Sequence, residues 1–307
     1  MEVRDLIILG GGPAGLTSAI YAGRALLDTL VITEGITSSQ LFLSTGVEDY
    51  PGFPEIISGY ELLKSMEKQA KKFQIDFLEK KAIAVDLKVH PYKVITEDQK
   101  EHFSKSIIIA TGASHKLLGL EKEKDFIGKG ISVCAICDGF FYKDKIVAVI
   151  GGGDSAVKEA IYLSKYAQKV YLIYRSKELK AAPVLQKRLT KEKNIEPISP
   201  YEVIKLIGEK TLEKIIIKNK ETEEEKEIKI DGMFLAIGSK PNTDLFKDQL
   251  ELLPSGHIKT YDLVKTQKEG VFAAGEVMDP FYRQAITSCG FGAIAALEAE
   301  KWLKNYQ

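Results

Sequence analysis

The chain is poor in several residue types that mark particular classes of protein. Its 307 residues include three cysteines, four histidines and one tryptophan, and 43 basic side chains balance 43 acidic ones. Three cysteines are too few for the disulfide framework of a small secreted protein. A net charge of zero argues against nucleic acid as the main partner, because phosphate binding needs a basic surface.

Long apolar runs are also missing. No uncharged apolar run approaches the roughly 18 residues that a membrane span needs. Residues 1–5 lead directly into a strand-like segment without an apolar signal region. We therefore expect a cytoplasmic protein with no membrane partner. At about 100–200 residues per domain, the length predicts two domains, each with its own core.

A glycine-rich turn stands near the start of the chain, between the apolar run Leu6–Leu9 and a helix-like stretch. Gly10, Gly12 and Gly15 have the spacing of a dinucleotide-binding turn. The first glycine permits a tight turn, the second lets a pyrophosphate approach, and the third lets helix and strand pack closely. The next strand ends at Glu34, whose carboxylate can accept hydrogen bonds from a ribose hydroxyl.

A near copy of this pattern occurs in the middle of the chain. Gly151, Gly153 and Ala156 follow the apolar run Ile146–Ile150, and alanine is an accepted variant at the packing position. The following strand ends at Arg175 rather than at an acid. Without a carboxylate there is no clash with a 2′-phosphate, which Arg175 can bind, so the pattern favours NADP over NAD. The alternative is that Arg175 is an ordinary surface cation with no ligand.

Two cysteines, Cys134 and Cys137, lie three positions apart, and Asp138 follows them. Such a pair can close a small redox-active ring, form half of a zinc site, or be inert core cysteines. Zinc needs about four ligands, and neither Cys289 nor the scattered histidines provide them, so no metal is expected. Asp138 can act as a general acid if burial raises its pKa; it can also cap a helix or lie at the surface. Cys289 is expected to serve packing.

Two dinucleotide turns and one dithiol in a single chain indicate an electron relay. A nicotinamide gives a hydride, a disulfide takes two electrons and two protons, and a flavin can join the two. The residues therefore predict a flavin- and nicotinamide-dependent disulfide oxidoreductase. Two other classes remain as alternatives: a flavin-binding redox sensor without turnover, and a nucleotide-binding module with structural zinc.

The sequence resembles the low-molecular-weight thioredoxin reductases over essentially its whole length. The segments that carry the likeness are Gly10–Gly15, Tyr50–Pro54, Ala110–Gly112, Cys134–Tyr142, Gly151–Ala156, Phe272–Gly275 and Arg283–Ala285. The resemblance implies an α/β fold with two Rossmann-like, three-layer dinucleotide-binding domains, the second inserted into the first. Residues 1–113 and 245–307 would bind FAD. Residues 114–244 would bind NAD(P)H and carry the dithiol. A homodimer is implied as well.

The resemblance also assigns cofactor contacts, residue by residue. Those to FAD are Gly10, Gly12, Pro13, Ala14, Gly15, Glu34, Gln40, Asp49, Ala110, Thr111, Gly112, Gly275, Glu276, Arg283, Gln284 and Ala285. Those to NADPH are Gly151, Gly153, Asp154, Ser155, Ala156, Arg175 and Lys180. The closing helix, expected over 283–303, would direct its positive N-terminal end at the flavin.

The implied activity is that of a thioredoxin-disulfide reductase. Hydride would pass from NADPH to FAD, then to the Cys134–Cys137 disulfide, and then to oxidised thioredoxin or a thioredoxin-like protein. Cys137 would face the flavin, Cys134 would attack the thioredoxin disulfide, and Asp138 would handle the proton.

The family's 2′-phosphate motif is altered in this chain. The family's motif has three arginines. In this chain Arg175 keeps the first of them, and Ser176 and Lys180 stand at the positions of the other two. Lysine keeps the charge but loses the planar fork of arginine. NADH or another donor therefore stays an alternative to NADPH. A glutaredoxin-like or small disulfide stays an alternative to thioredoxin.

Overall fold

The computed structural model describes residues 2–44 and 46–306, and the chain divides into two structural units. The first unit consists of Met1–Ser114 and Lys240–Gln307, and the second of His115–Ser239. The chain thus passes between units at 114/115 and 239/240. The sequence-based boundaries lie at 113/114 and 244/245.

The elements of the chain run in the following order. The amino-terminal part contains β1 (Val3–Leu9), α1 (Pro13–Arg24), β2 (Thr29–Thr33), α2 (Gly59–Lys71), β3 (Asp76–Glu79), β4 (Ala82–Asp86), β5 (Tyr92–Thr96), β6 (Glu101–Ile109) and β7 (Ala113–His115). The middle part contains α3 (Glu123–Phe126), β8 (Ile131–Ser132), α4 (Ala135–Asp138), β9 (Ile146–Ile150), α5 (Asp154–Leu163), β10 (Lys169–Ile173), α6 (Pro183–Leu189), β11 (Ile195–Ile198), β12 (Tyr201–Ile207), β13 (Lys214–Asn219), β14 (Glu225–Lys229), β15 (Gly232–Leu235) and β16 (Ser239–Pro241). The carboxyl-terminal part contains β17 (Val271–Ala273) and α7 (Ala285–Asn305).

The first unit is built on a seven-stranded sheet in the order β3-β2-β1-β6-β5-β4, with β17 also paired to β6. Strand β1 runs parallel to both neighbours, so that Leu9 lies opposite Ile32 and Ile109. Helices cover this part of the sheet, which is why β1 and β6 end in continuous runs of buried aliphatic residues. The parallel strands β1, β2, β6 and β17 bring their carboxyl ends to one edge.

The second unit contains a five-stranded parallel sheet in the order β11-β10-β9-β15-β8 and an antiparallel meander, β12-β13-β14. Side chains alternate across strand β9. Val147 and Val149 pack into the core that includes α5, whereas Ala148 and Ile150 pack into the core formed with the meander. Helices, central sheet and meander make the three layers of this unit.

Most of the predicted elements are confirmed. The apolar spacing of residues 58–73 predicts an amphipathic helix, and α2 lies there. Ser58 caps it by accepting the N–H of Glu61, while the Glu61 carboxylate accepts the N–H of Ser58. Strand β3, Asp76–Glu79, was not predicted, because its four residues are exposed or half-buried and carry little apolar signal.

Candidate active site

The first glycine-rich turn joins β1 to α1. Gly10 has φ +119°, and a Cβ atom there would lie 2.2 Å from the Ala110 carbonyl oxygen; one at Gly15 would lie 2.0 Å from the Gly10 carbonyl oxygen. These two glycines therefore permit close packing. At Gly12 a Cβ would meet only the Ser39 hydroxyl, at 3.4 Å. Gly12 thus leaves room for a ligand.

The N-terminus of α1 opens towards this room. Within the described residues, no side chain caps its first turn and no acid lies in it, and Pro13 occupies the first helical position. The exposed N–H groups and the helix dipole together favour a phosphate at such a terminus. Ala14 is buried and packs against Gly275, where an added Cβ would lie 2.9 Å from the Ala14 Cβ.

The carboxyl end of β2 carries the next expected contacts. Glu34 follows the strand, is half exposed, and has Lys81 Nζ 3.6 Å from its Oε2. Gln40 begins a 3₁₀ turn, directly after Ser39, whose hydroxyl is the neighbour of Gly12. Glu34 and Gln40 therefore lie on the segments that follow β2. Asp49 lies in an exposed bend further along the chain.

The carboxyl end of β6 leads into Ala110, Thr111 and Gly112. The Thr111 hydroxyl donates to the Asn242 carbonyl oxygen at 2.8 Å, and the Asn242 side-chain amide donates back to the Thr111 carbonyl oxygen at 2.8 Å. Gly112 has φ +65° and open space at its Cβ position. Since β1, β2 and β6 are parallel, the three segments meet at the sheet edge where dinucleotides bind in such folds.

The segment before α7 differs from the prediction. The closing helix was expected to begin at Arg283, but it begins at Ala285 and Gln284 is its N-cap residue. Arg283 has φ +52°, which a right-handed helix excludes. The cause is Asp279, a buried residue that the sequence analysis missed, whose carboxylate accepts the N–H of Arg283 at 3.0 Å and those of Phe281 and Tyr282.

Glu276 lies beside this turn. Burial raises the pKa of its carboxyl group to about 7, the neighbouring charge of Asp279 adds to the rise, and Arg283 opposes it. His257, also missed in the sequence, is buried, with its Nδ1 2.9 Å from the Ser255 hydroxyl. Burial and Arg283 lower the pKa of His257. Glu276 and Asp279, which follow β17, and His257, which precedes it, are therefore largely buried titratable side chains influenced by Arg283.

The second glycine-rich turn joins β9 to α5. Gly151 has φ +144°, and a Cβ there would lie 2.4 Å from the Ala236 carbonyl oxygen; at Gly153 nothing lies within 4 Å. Ala156 is fully buried. As in the first turn, one glycine, Gly151, is required by close packing, and another, Gly153, leaves space for a ligand.

Asp154 and Ser155 are the first two residues of helix α5. The Asp154 carboxylate accepts the N–H of Ala182 at 2.7 Å, which fixes the loop after β10 to the turn. In the same loop the Lys180 N–H donates to the Gly152 carbonyl oxygen at 2.8 Å. Arg175 and Lys180 are exposed. The loop that carries both expected phosphate ligands is thus anchored to the second turn at two points.

The dithiol lies on the short helix α4. Cys134 and Cys137 form a disulfide, and the Cys137 N–H donates to Cys134 Sγ at 3.2 Å. Asp138 follows, and the Ser132 hydroxyl donates to its Oδ2 at 2.6 Å. Burial and the nearby charge of Asp138 raise the pKa of Tyr142 to about 12. The dithiol and Asp138 were predicted from the sequence, whereas Ser132 was not.

Cys289, the third cysteine, is buried in the first turns of α7. Its Sγ accepts a hydrogen bond from the Tyr50 hydroxyl at 3.4 Å and lies 3.7 Å from the Pro13 carbonyl oxygen. Cys289 thus ties the Tyr50 segment and the first turn to α7, as a packing residue does. Across residues 2–44 and 46–306, no group of three or more His, Cys, Asp and Glu side chains is arranged to hold a metal.

The comparisons with known proteins agree with this geometry. The family model of the pyridine nucleotide-disulphide oxidoreductases matches residues 4–292. A thioredoxin reductase of Rickettsia conorii is 43% identical over 304 residues, with 98% of each chain covered. One of Streptomyces coelicolor is 41% identical over 304 residues, covering 98% of this chain and 94% of its own. The chain belongs to the pyridine nucleotide-disulphide oxidoreductase family.

Solved structures of thioredoxin reductases are similar to this chain in fold as well. The thioredoxin reductase of Giardia duodenalis is 36% identical, with a TM-score of 0.92 over 99% of this chain and 100% of its own. That of Streptococcus pyogenes is 34% identical, with a TM-score of 0.93 over 99% of both chains. The predicted fold class and the prediction of a flavin-type disulfide oxidoreductase, an enzyme, are confirmed. The family implies a flavin and a pyridine nucleotide. No helix in the described part of the chain is long and apolar enough to cross a bilayer.

Proposed function

We propose that this oxidoreductase is a thioredoxin-disulfide reductase that binds FAD and takes its electrons from NADPH. The observation that carries the proposal is the Cys134–Cys137 disulfide, followed by Asp138, in a chain with two glycine-rich turns. Each turn leaves space at one glycine, Gly12 in the first and Gly153 in the second. Relatives about 40% identical over nearly their whole length bear the name thioredoxin reductase.

The first unit fits FAD at the residues already described. Gly12 and the N-terminus of α1 would take the pyrophosphate, and Glu34 would bind the adenosine ribose. Gly112, Glu276 and the residues Arg283–Ala285 would lie along the rest of the cofactor. When bound, FAD supplies two-electron chemistry between a nicotinamide and a disulfide.

The second unit fits a pyridine nucleotide. The pyrophosphate would lie at Gly153 and the N-terminus of α5, and Arg175 and Lys180 would bind the 2′-phosphate of NADPH. Asp154 also supports this site, because its hydrogen bond to Ala182 fixes the loop that carries Arg175 and Lys180.

The dithiol performs the exchange with the substrate. After reduction, the thiolate of Cys134 attacks the thioredoxin disulfide, which forms a mixed disulfide and releases one thioredoxin thiolate. Cys137 then attacks the Cys134 sulfur, restores the enzyme disulfide and releases the second thiolate. Asp138 supplies a proton in this sequence, and the second comes from solvent. The Cys137 N–H favours the attacking thiolate, because a hydrogen bond to a charged form stabilises it.

One observation favours a second donor, NADH. Lys177, the extra cation of the loop after β10, has its Nζ 2.7 Å from Glu221 Oε1 and is thereby partly neutralised. Arg175 and Lys180 are then the main cations for a 2′-phosphate.

Anaerobic titration of the flavin-loaded protein with NADPH tests the proposal, with flavin absorbance as the readout. Complete bleaching after about two equivalents per flavin supports it, because flavin and dithiol each take two electrons. If NADH bleaches the flavin and NADPH does not, the donor assignment is wrong. If the reduced enzyme then fails to reduce thioredoxin but reduces a glutaredoxin-like or small disulfide, the substrate assignment is wrong. The proposal includes a cytoplasmic homodimer, which light scattering and cell fractionation test.

A further inference from the structure

Ser132 connects the central sheet of the second unit to the dithiol. It lies in β8, opposite Phe234 of β15, and is 4% exposed. Its Oγ accepts the N–H of Cys134 at 3.1 Å and donates to Asp138 Oδ2 at 2.6 Å. One buried hydroxyl therefore contacts the first cysteine's backbone and the acid that follows the second.

The bond to Asp138 is the stronger of two choices open to this hydroxyl. The Cys134 carbonyl oxygen also lies within reach, at 3.3 Å. A hydroxyl has a single proton to donate, and a short bond to a carboxylate is stronger than a longer one to a neutral carbonyl. The Cys134 carbonyl oxygen already accepts the N–H of Asp138 at 3.1 Å. The Ser132 hydroxyl therefore donates its hydrogen bond to Asp138 and not to the Cys134 carbonyl oxygen.

These bonds fix the Asp138 carboxyl group with respect to the cysteines. Helix α4 has only four residues, so its own backbone bonds give Asp138 little rigidity. The strand bearing Ser132 is held by the sheet, and it therefore supplies the fixed point. A hydroxyl donor also favours the carboxylate over the carboxylic acid, because it stabilises the charged form.

We propose that Ser132 is a positioning residue that orients the Asp138 carboxyl group beside the dithiol and sets the pH range over which Asp138 exchanges a proton with sulfur. The inference rests on the proposed function for the identity of the substrate, but not for the geometry.

Charged and titratable groups lie near Asp138 and around its neighbour Tyr142. The Tyr142 phenol lies near it, and Asp231 acts on Tyr142 from the start of β15. Lys145 Nζ lies 5.4 Å from the centre of the Tyr142 ring. The two cysteines can also titrate once they are reduced. The substitutions below leave all of these side chains in place.

Ser132→Ala tests the inference in the flavin-loaded enzyme. We expect kcat with thioredoxin to fall about tenfold and the limb of its pH profile that depends on Asp138 to move up by about one pH unit, with little change in KM. Ser132→Thr keeps the hydroxyl and restores the profile. In an Asp138→Asn background, Ser132→Ala adds no further shift. Ser132→Gly replaces the alanine variant if that protein does not fold.

Ser164→Ala is the matched control. Its hydroxyl lies 3.2 Å from the Glu192 carboxylate and 2.8 Å from the Ile161 carbonyl oxygen, in the same unit but at the end of α5. Three outcomes would each overturn the inference. Ser132→Ala could keep the wild-type pH profile, Ser164→Ala could shift the profile equally, or Ser132→Ala could add its full shift in the Asp138→Asn background.

A second readout separates this inference from the proposed function. The dithiothreitol-reduced protein is alkylated with iodoacetamide over a range of pH, which needs no protein substrate. The inflection that Asp138→Asn removes should move to higher pH in Ser132→Ala. If the wild type reduces no thioredoxin and this shift is present, the substrate proposal fails and the role of Ser132 stands. If the inflection does not move, the role of Ser132 fails.

Discussion

The Nζ atom of Lys177 lies 2.7 Å from Oε1 of Glu221, which joins the loop after β10 to the turn between β13 and β14. The bond raises the pKa of Lys177 and holds its charge beside a carboxylate. Glu221 belongs to a charged segment, residues 221–229, which runs from that turn through β14. It lies next to the segment that is expected to bind the 2′-phosphate.

Glu221→Gln should strengthen the preference for NADPH over NADH. The change frees Lys177 and removes one negative charge near the phosphate, so kcat/KM should rise for NADPH and stay constant for NADH. An exposed pair has a small effect, and we expect a change of at most about fivefold that shrinks in high salt. Glu223→Gln, in the same turn and paired with Lys218, is the control. Equal responses in the two variants would contradict the prediction.

Arg175→Ala should discriminate between the two nucleotides. If Arg175 binds the 2′-phosphate, the variant loses a charge-assisted bond worth about 1.5–3 kcal/mol, and kcat/KM for NADPH falls by at least about tenfold. NADH, which lacks the phosphate, should be unaffected. Arg188→Ala, which removes a cation near the end of α6, is the matched control. An equal loss for both nucleotides would show that Arg175 supports the loop instead.

Glu276 predicts a stability that depends on pH in the flavin-free protein. Burial raises the pKa of its carboxyl group to about 7, whereas the group in the unfolded chain titrates near its usual value of 4.5. Between these values the native state binds more protons, so the free energy of unfolding falls as pH rises from about 4.5 to about 7. Above that range the full cost, roughly 3 kcal/mol, is present.

Glu276→Gln should remove this dependence. The melting temperature of the flavin-free variant should exceed that of the wild type at pH 8 and approach it at pH 5. Thermal unfolding at both pH values measures the difference, and Glu55→Gln, which changes an exposed acid of the same unit, corrects for a general loss of charge. A constant offset between variant and wild type would show that Glu276 does not titrate in this range.

The strands and the two turns were predictable because their signals are local. Runs such as Ile146–Ile150 are apolar throughout, and glycines at fixed spacing follow them. The start of α7 was not predictable from periodicity, since the apolar pattern continues back to Arg283 and only the Asp279 carboxylate stops the helix. The Ser132–Asp138 bond joins a strand to a helix six positions away, and no periodic pattern marks it.

Cys134→Ser should separate the two halves of the reaction. The variant lacks the attacking sulfur but keeps the residues assigned to both nucleotides, so it should bind FAD and still bleach with NADPH. It should lose thioredoxin reduction. Stopped-flow absorbance and a coupled thioredoxin assay measure the two halves, with Cys289→Ser as the control for a cysteine outside the disulfide. Normal turnover in Cys134→Ser would refute the assignment of the dithiol.

Alanine at Gly12 and at Gly15 should have different consequences. At Gly15 the new Cβ would lie 2.0 Å from the Gly10 carbonyl oxygen, so strand and helix must separate and the flavin-free protein should lose several kcal/mol of stability. At Gly12 its neighbour would be the Ser39 hydroxyl at 3.4 Å, so the flavin-free protein should unfold nearly as the wild type does. FAD affinity should nevertheless fall at least about tenfold, because the methyl group takes the space of the pyrophosphate.

Gly153→Ala provides the corresponding test in the second unit. Its Cβ position has no neighbour within 4 Å, so stability and FAD content should stay unchanged while KM for NADPH rises. We expect opposite effects in Gly12→Ala and Gly153→Ala. They are measured by thermal unfolding, by the fluorescence of released flavin and by nucleotide kinetics. One variant should affect only the flavin and the other only the nicotinamide nucleotide. If Gly12→Ala raised KM for NADPH with its flavin intact, or if Gly153→Ala released the flavin, the two turns would have to exchange their cofactors.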